Sequence, residues 1–326
     1  MAVARLPLVV THPAWRAAQV VGVLLTLALL VAFVVAPDRS LRLLWDMIIP
    51  LLPAVFLVNP MLWRNVCPLA TLNDLGGHRR ASPTLRTVQL PAGWTIGIVL
   101  LFLLVPARRF LFNTHGVPMA VIVASVAVLA LAAGLAVSRR GGFCNSICPV
   151  LPVEKLYGQA PVVEIGSARC SDCNRCAALG CPDIAGRKSA VQSVAGAGGA
   201  RWYLTPFGLF AATFPGFIVG YFTTVDGPVA SAASVYGHIA LWSAASAAVA
   251  VALIGATRAR STPALLVLGG SSITVYYWFA APRLVQAYGG GPVVAETVRV
   301  IALLGIAFWA VRAWRKNRGV ARPTAA

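Results

Sequence analysis

Apolar residues gather along this chain in long blocks separated by short basic connections, rather than alternating as in a strand or recurring on one face as in a surface helix. The first block, from about Gln19 to Ala36, can cross a hydrocarbon core of about 30 Å at about 1.5 Å per residue. Val35-Ala36-Pro37-Asp38 does not form a small-residue cleavage site, so the block is expected to remain as a helix rather than leave as a signal peptide. Further blocks near 41–58, 92–106, 117–137, 204–224, 233–256, 263–282 and 297–313 bring the expected transmembrane helices to eight. The pattern predicts an all-α polytopic membrane protein in three parts. These are a four-helix block over 1–140, a small cytoplasmic segment over 141–200, and a second four-helix block with a basic tail over 201–326. Asp46, Pro50 and Pro53 fall in the second helix, which is expected to kink and to turn one side toward protein.

Composition and charge sharpen that picture. With 59% hydrophobic and 11% charged residues, the chain cannot cover itself with a polar surface, so membrane lipid is its expected surroundings. A net charge of +18 would point to nucleic acid in a soluble protein. Here the basic residues sit in the connections, which is the mark of membrane topology, and no nucleic-acid partner is expected. With a cytoplasmic N-terminus, 21 Lys and Arg residues fall on that side. Only the 5 residues Arg39, Arg42, Arg108, Arg109 and Arg283 fall on the other, while Arg299 lies inside helix eight. The expected location is therefore a cytoplasmic (inner) membrane, crossed many times, with both termini and every cysteine on the cytoplasmic side. The basic tail over 312–322 reads as an anchor to anionic headgroups.

The cysteines carry the chemistry. Cys170, Cys173, Cys176 and Cys181 fall close together and end in Cys181-Pro182. The two-residue gaps between the first three match the bacterial ferredoxin run, whose thiolates hold the corners of a 4Fe–4S cluster. Four residues separate Cys176 from Cys181 where three are usual, which sets Cys181 apart. Paired Cys-x-x-Cys is also zinc spacing, so a structural zinc site is the competing reading. An odd total of 7 cysteines cannot all pair as disulfides, and their clustering argues for metal ligation in a reducing compartment.

An internal repeat extends the cysteine region. Trp63-Arg-Asn-Val-Cys67-Pro68 and the residues up to Leu75 align without gaps on Cys144-Asn-Ser-Ile-Cys148-Pro149 and the residues up to Leu156. Each copy follows a pair of membrane helices. Leu69, Leu72 and Leu75, like Val150, Val153 and Leu156, recur every third position, so a short helix is expected after each Cys-Pro, with the proline first in it. Each cysteine would then sit at a helix cap, near backbone N–H groups that stabilise a thiolate cluster.

The Cys144-x-x-x-Cys148-Pro149 segment at a helix end, followed by a ferredoxin run, resembles the membrane polyferredoxins of the NapH, NosR and CcoG types over about residues 41–185. The resemblance implies 4Fe–4S clusters on the cytoplasmic side and electron exchange with a quinone pool or a redox protein partner. This chain departs from it in two ways. Trp63 replaces the first cysteine of the first copy, and one ferredoxin run stands where two are usual. Two cubanes need more ligands than the chain's cysteines supply. By ferredoxin logic, Cys170, Cys173 and Cys176 take Cys67 or Cys148 as their fourth ligand. That leaves Cys144, Cys181 and the other Cys-Pro cysteine, a set that suits a 3Fe–4S cluster, an open cubane, or a cubane completed by His78 or Asp74. One cluster alone, with the spare cysteines inert, is the alternative.

Other residues carry weaker signals. Asp46 is a candidate for a quinol site beside the Pro50 and Pro53 kink. His238 reads as bonded to a neighbouring helix rather than to haem, because His12, His78 and His115 all fall outside the spans. Tyr276-Tyr277-Trp278 reads as interfacial packing and Gly289-Gly290-Gly291 as a loop. The reading is an iron–sulfur electron-transfer protein between the quinone pool and a protein partner, a component of quinol-linked oxidoreduction. Its rivals are a redox assembly factor, reducing a metal or disulfide in a maturing oxidoreductase, and a zinc-stabilised transporter or structural membrane protein.

Overall fold

A computed structural model describes residues 12–77, 93–136, 142–167, 189–194 and 199–320. Among them, eight helices are long and apolar enough to cross a membrane, so the chain is an all-helical, multi-pass membrane protein. The first half contains α1 (His12–Val35), α2 (Pro37–Leu43), α3 (Ile49–Val58), α4 (Pro60–Val66), α5 (Pro68–Gly77), α6 (Gly93–Ala107) and α7 (Gly116–Ala136). The short α8 (Leu151–Tyr157) and α9 (Ser189–Gln192) follow. The second half contains α10 (Pro206–Thr223), α11 (Ala232–Thr257), α12 (Ser261–Ala287) and α13 (Pro292–Val320).

The second half supplies the centre. In the apolar stretches of the spans Pro206–Thr223 and Ser261–Ala287, 56% and 50% of the residues are buried, against 6% in that of Pro13–Val35. Phe207, Phe210, Phe214 and Phe217 recur at helical spacing along α10, and all four are buried. Phe102 of α6 packs its ring 4.5 Å from Phe217 and 6.4 Å from Phe210, joining the two halves through one aromatic core.

Two spans are longer than their apolar runs suggest: the chain's second, because α2 begins it at Pro37, and its third, through a π-helical segment; the second contains a π segment as well. Leu44–Ile48 links α2 to α3, and Arg108–Phe112 extends α6. Arg108 and Arg109 therefore lie inside the span Thr95–Phe112 instead of in the connection beyond it, where the sequence places them. The extra residue in each π turn re-aims the helix, and the two segments meet. Trp45 Nε1 donates to the Phe112 carbonyl at 3.1 Å, and Arg108 pairs with Asp46 at 3.6 Å. Asp46 is thus a paired carboxylate at a helix junction.

Residues Ile49–Val58 form one helix with Pro53 inside it, and Tyr277 of α12 bonds to its backbone. The Tyr277 hydroxyl accepts from Ala54 N at 2.9 Å and donates to Pro50 O at 2.8 Å, two groups at helical i, i+4 spacing. Tyr277 is 8% exposed, so it is an internal peg joining α12 to α3 rather than an interfacial residue.

A recurring device closes the end of the bundle that carries these arginines. The last carbonyls of α10 have no partner within the helix. Arg109 donates to Tyr221 O at 2.7 Å while lying 4.3 Å from that residue's ring, and Arg283 does the same with Phe222 at 2.9 and 5.0 Å. Pro282 has no N–H to offer Trp278 O, so Arg299 donates there at 3.0 Å, stacked 4.7 Å from the indole. Asp226 holds Arg109 at 2.6 Å. His238 sits as expected, its Nε2 2.9 Å from Thr223 Oγ1 on α10. In the basic tail, Arg312 turns inward and donates to Val162 O at 2.5 Å.

Candidate functional site

The two repeat copies share one backbone device at the opposite end of the bundle. Proline biases the residue before it toward extended ψ, so the preceding helix must stop there. Cys67 has φ −55° and ψ 124°, and Cys148 has φ −58° and ψ 120°. Each closes the helix before it: Cys67 N–H donates to Trp63 O at 2.8 Å, and Cys148 N–H to Phe143 O at 3.1 Å. Each also opens the next turn, its carbonyl accepting from Thr71 N at 3.0 Å or Leu151 N at 3.2 Å. The copies differ in one detail. Pro68 is the first residue of α5 as expected, whereas Pro149 and Val150 form a turn and α8 begins at Leu151. The second copy also enters through a π segment, Phe143–Ile147.

Although far apart in sequence, the copies come together. Cys67 and Cys144 are buried in one small cluster with Ala70, Ala130, Ala133 and Phe143, against which Trp63 and Cys148 pack. Trp63, standing where the second copy has Cys144, therefore lies beside the cysteines as an apolar wall. Membrane helices approach both junctions closely through glycines. A Cβ on Gly22 would meet Val66 O at 2.8 Å, and one on Gly97 would meet Cys148 O at 2.7 Å.

Charge and polarity around the cluster are organised by Arg64. Its Nη1 donates to Glu154 Oε2 at 3.0 Å and its Nη2 to Asn145 Oδ1 at 2.8 Å, with the Arg64 and Glu154 side chains 6% and 2% exposed. Sequence reasoning missed this pair: both residues lie within the aligned repeat, but at positions that do not correspond, and the alignment does not tell which residues of the two copies meet. Burial drives the Cys148 thiol well above its ordinary range, and nearby Glu154, Cys144 and Cys67 push the same way.

The segment leading toward Cys170 is tied to the first copy. Val162 and Val163 N–H donate to Leu57 O and Val58 O, both at 3.1 Å; Asn59 Nδ2 donates to Val163 O at 2.8 Å and Asn65 Nδ2 to Gly166 O at 3.1 Å. The returning segment is tied beside the second copy, where Lys155 Nζ donates to Ser193 Oγ at 3.3 Å. Cys170, Cys173, Cys176, Cys181 and His78 lie outside the described residues, as does the ferredoxin-like spacing that rests on them. Asp74 is on α5. Among the described residues, no three His, Cys, Asp or Glu side chains are placed to hold a single metal ion. Cys67, Cys144 and Cys148 by themselves are thus not arranged as a one-ion zinc site. Comparison with family models, curated proteins and solved structures finds no match to this chain.

Proposed function

We propose that this chain is a membrane-integral iron–sulfur protein that passes single electrons between the quinone pool and a protein partner. The supporting observation is the convergence of Cys67, Cys144 and Cys148 on the face where the segment bearing Cys170, Cys173, Cys176 and Cys181 leaves the described fold and rejoins it. Gly166 is bonded to Asn65, two residues before Cys67, and Cys170 follows it within about 14 Å of fully extended chain. A bound 4Fe–4S cluster supplies one-electron storage at a potential set by its charge, burial and hydrogen bonding. The seven cysteines would hold two such centres, the second as 4Fe–4S or 3Fe–4S.

The chain's own residues support that chemistry. Phe143, Trp63 and the alanines of α7 pack around the buried Cys67 and Cys144 and the partly buried Cys148, lowering the local dielectric. Desolvation raises the Cys148 thiol, so ligation releases a proton and strengthens as pH rises. In this reading the cysteine face is cytoplasmic in an inner membrane. Iron and acid-labile sulfide, measured in anaerobically purified protein, test the proposal. Near-stoichiometric sulfide is expected, whereas zinc without sulfide overturns the electron-transfer role. Labelling of Cys67 in whole cells by a membrane-impermeant thiol reagent would overturn the orientation.

A further inference from the structure

We infer that Arg64 is the positioning residue of the thiol cluster, fixing Cys67 of the first Cys-Pro segment against Cys144 and Cys148 of the second. The inference rests on the iron–sulfur reading for its purpose, but its geometry does not depend on metal. Arg64 lies three residues before Cys67, on α4. Its two terminal nitrogens reach residues that bracket Cys148: Asn145, beside Cys144, at 2.8 Å, and Glu154, on α8, at 3.0 Å. A planar guanidinium holds two such bonds in one fixed fork, so a shift of either segment breaks at least one of them. Low exposure keeps water from replacing what is lost, since Arg64 is 5% exposed and Glu154 2%.

The repeat shows that this clamp is specific to one side. Asn145 stands at the position of Arg64, and Asn73 at that of Glu154. The reciprocal contact would join Asn145 to Asn73. It is not made: Asn145 Oδ1 accepts from Arg64, and Asn73 is fully buried with neither amide atom hydrogen-bonded. One arginine therefore carries the registration that symmetry would otherwise share between two contacts. The asymmetry falls on the same copy that has Trp63 in place of a cysteine.

Arg64→Lys keeps the charge and the pairing with Glu154 but cannot span both acceptors, and Glu154→Gln removes the anion at nearly constant volume. The full chain in detergent, stripped of metal and reduced, is treated with a short bis-maleimide, and peptides joining Cys67 to Cys148 are measured by mass spectrometry. Both variants are expected to lower that cross-link about tenfold, while cross-linking of Cys144 to Cys148, within one segment, stays at the parent level. Loss of the cooperative thermal transition of either variant in the same detergent would mean general unfolding, and an undiminished Cys67 to Cys148 cross-link would mean that the glycine contacts alone set the register; each overturns the inference. In the anaerobically isolated chain, Arg64→Lys should also alter the low-temperature EPR line shape. Absence of iron from the parent would overturn the electron-transfer reading and leave the cross-linking result to judge the clamp.

Discussion

The two ends of the helix bundle use polar side chains in different ways. At the arginine end, Arg109, Arg283 and Arg299 each donate to a carbonyl that a helix terminus or a proline has left without its usual partner. Their identity follows from the backbone, because an unpaired carbonyl in a membrane is costly and a guanidinium can both bond it and cover the adjacent ring. At the cysteine end, the helix junctions are closed by the backbone N–H and C=O of Cys67 and Cys148. Any residue before a proline could supply these backbone bonds. A residue whose type the fold explains needs no further role, whereas one whose type it does not explain points to chemistry.

The contrast can be broken at either end. Arg109→Ala is expected to have the largest effect on stability, about 3 kcal/mol, a buried-pair loss reduced because Asp226 is 40% exposed. Thermal unfolding in detergent would register it, and an unmoved midpoint would deny the arginine end its structural role. Gly97→Ala comes next. Its Cβ would press on Cys148 O at 2.7 Å, so a cost of about 2 kcal/mol is expected, together with, on the proposed function, a lower iron content as the junction moves. Full iron content in that variant would separate the glycine approach from the site.

Tyr277→Phe should cost about 1 kcal/mol, because Ala54 N–H and Pro50 O can partly re-form the helical bond once the hydroxyl is gone. A larger loss, read from the same unfolding curves, would show that the helix does not replace the two bonds by itself. The smallest effect concerns pH. The folded metal-free chain keeps the Cys148 proton above the ordinary thiol value of 9.0, while the unfolded chain ionises there. The resulting stability is complete below about pH 9 and declines above it. Cys148→Ala should flatten that alkaline decline, and an unchanged slope would assign it to other groups.

Much of the frame was legible because it depends on patterns that survive in one dimension. Long apolar blocks fix the number of spans, as a bilayer allows little besides helices of sufficient length. A proline after each cysteine fixes the helix break, since the restriction on ψ is local. The gap-free repeat likewise placed Cys67 and Cys148 at equivalent helix ends, and the two share nearly one backbone conformation. Span ends were misread at Arg108 and Arg109 because a basic residue ordinarily marks a boundary, and the π turn that draws them inward depends on Trp45, Asp46 and Asp226 being present across the interface.

What only the tertiary structure decided is which distant groups meet. Tyr277 bonding to Ala54 and Pro50 of α3, Arg64 reaching Asn145 and Glu154, and Arg299 answering the carbonyl orphaned by Pro282 all join residues on different elements. Neither periodicity nor spacing encodes such contacts. They arise from the rotation and depth at which packed helices settle, and that depends on every side chain in the interface at once.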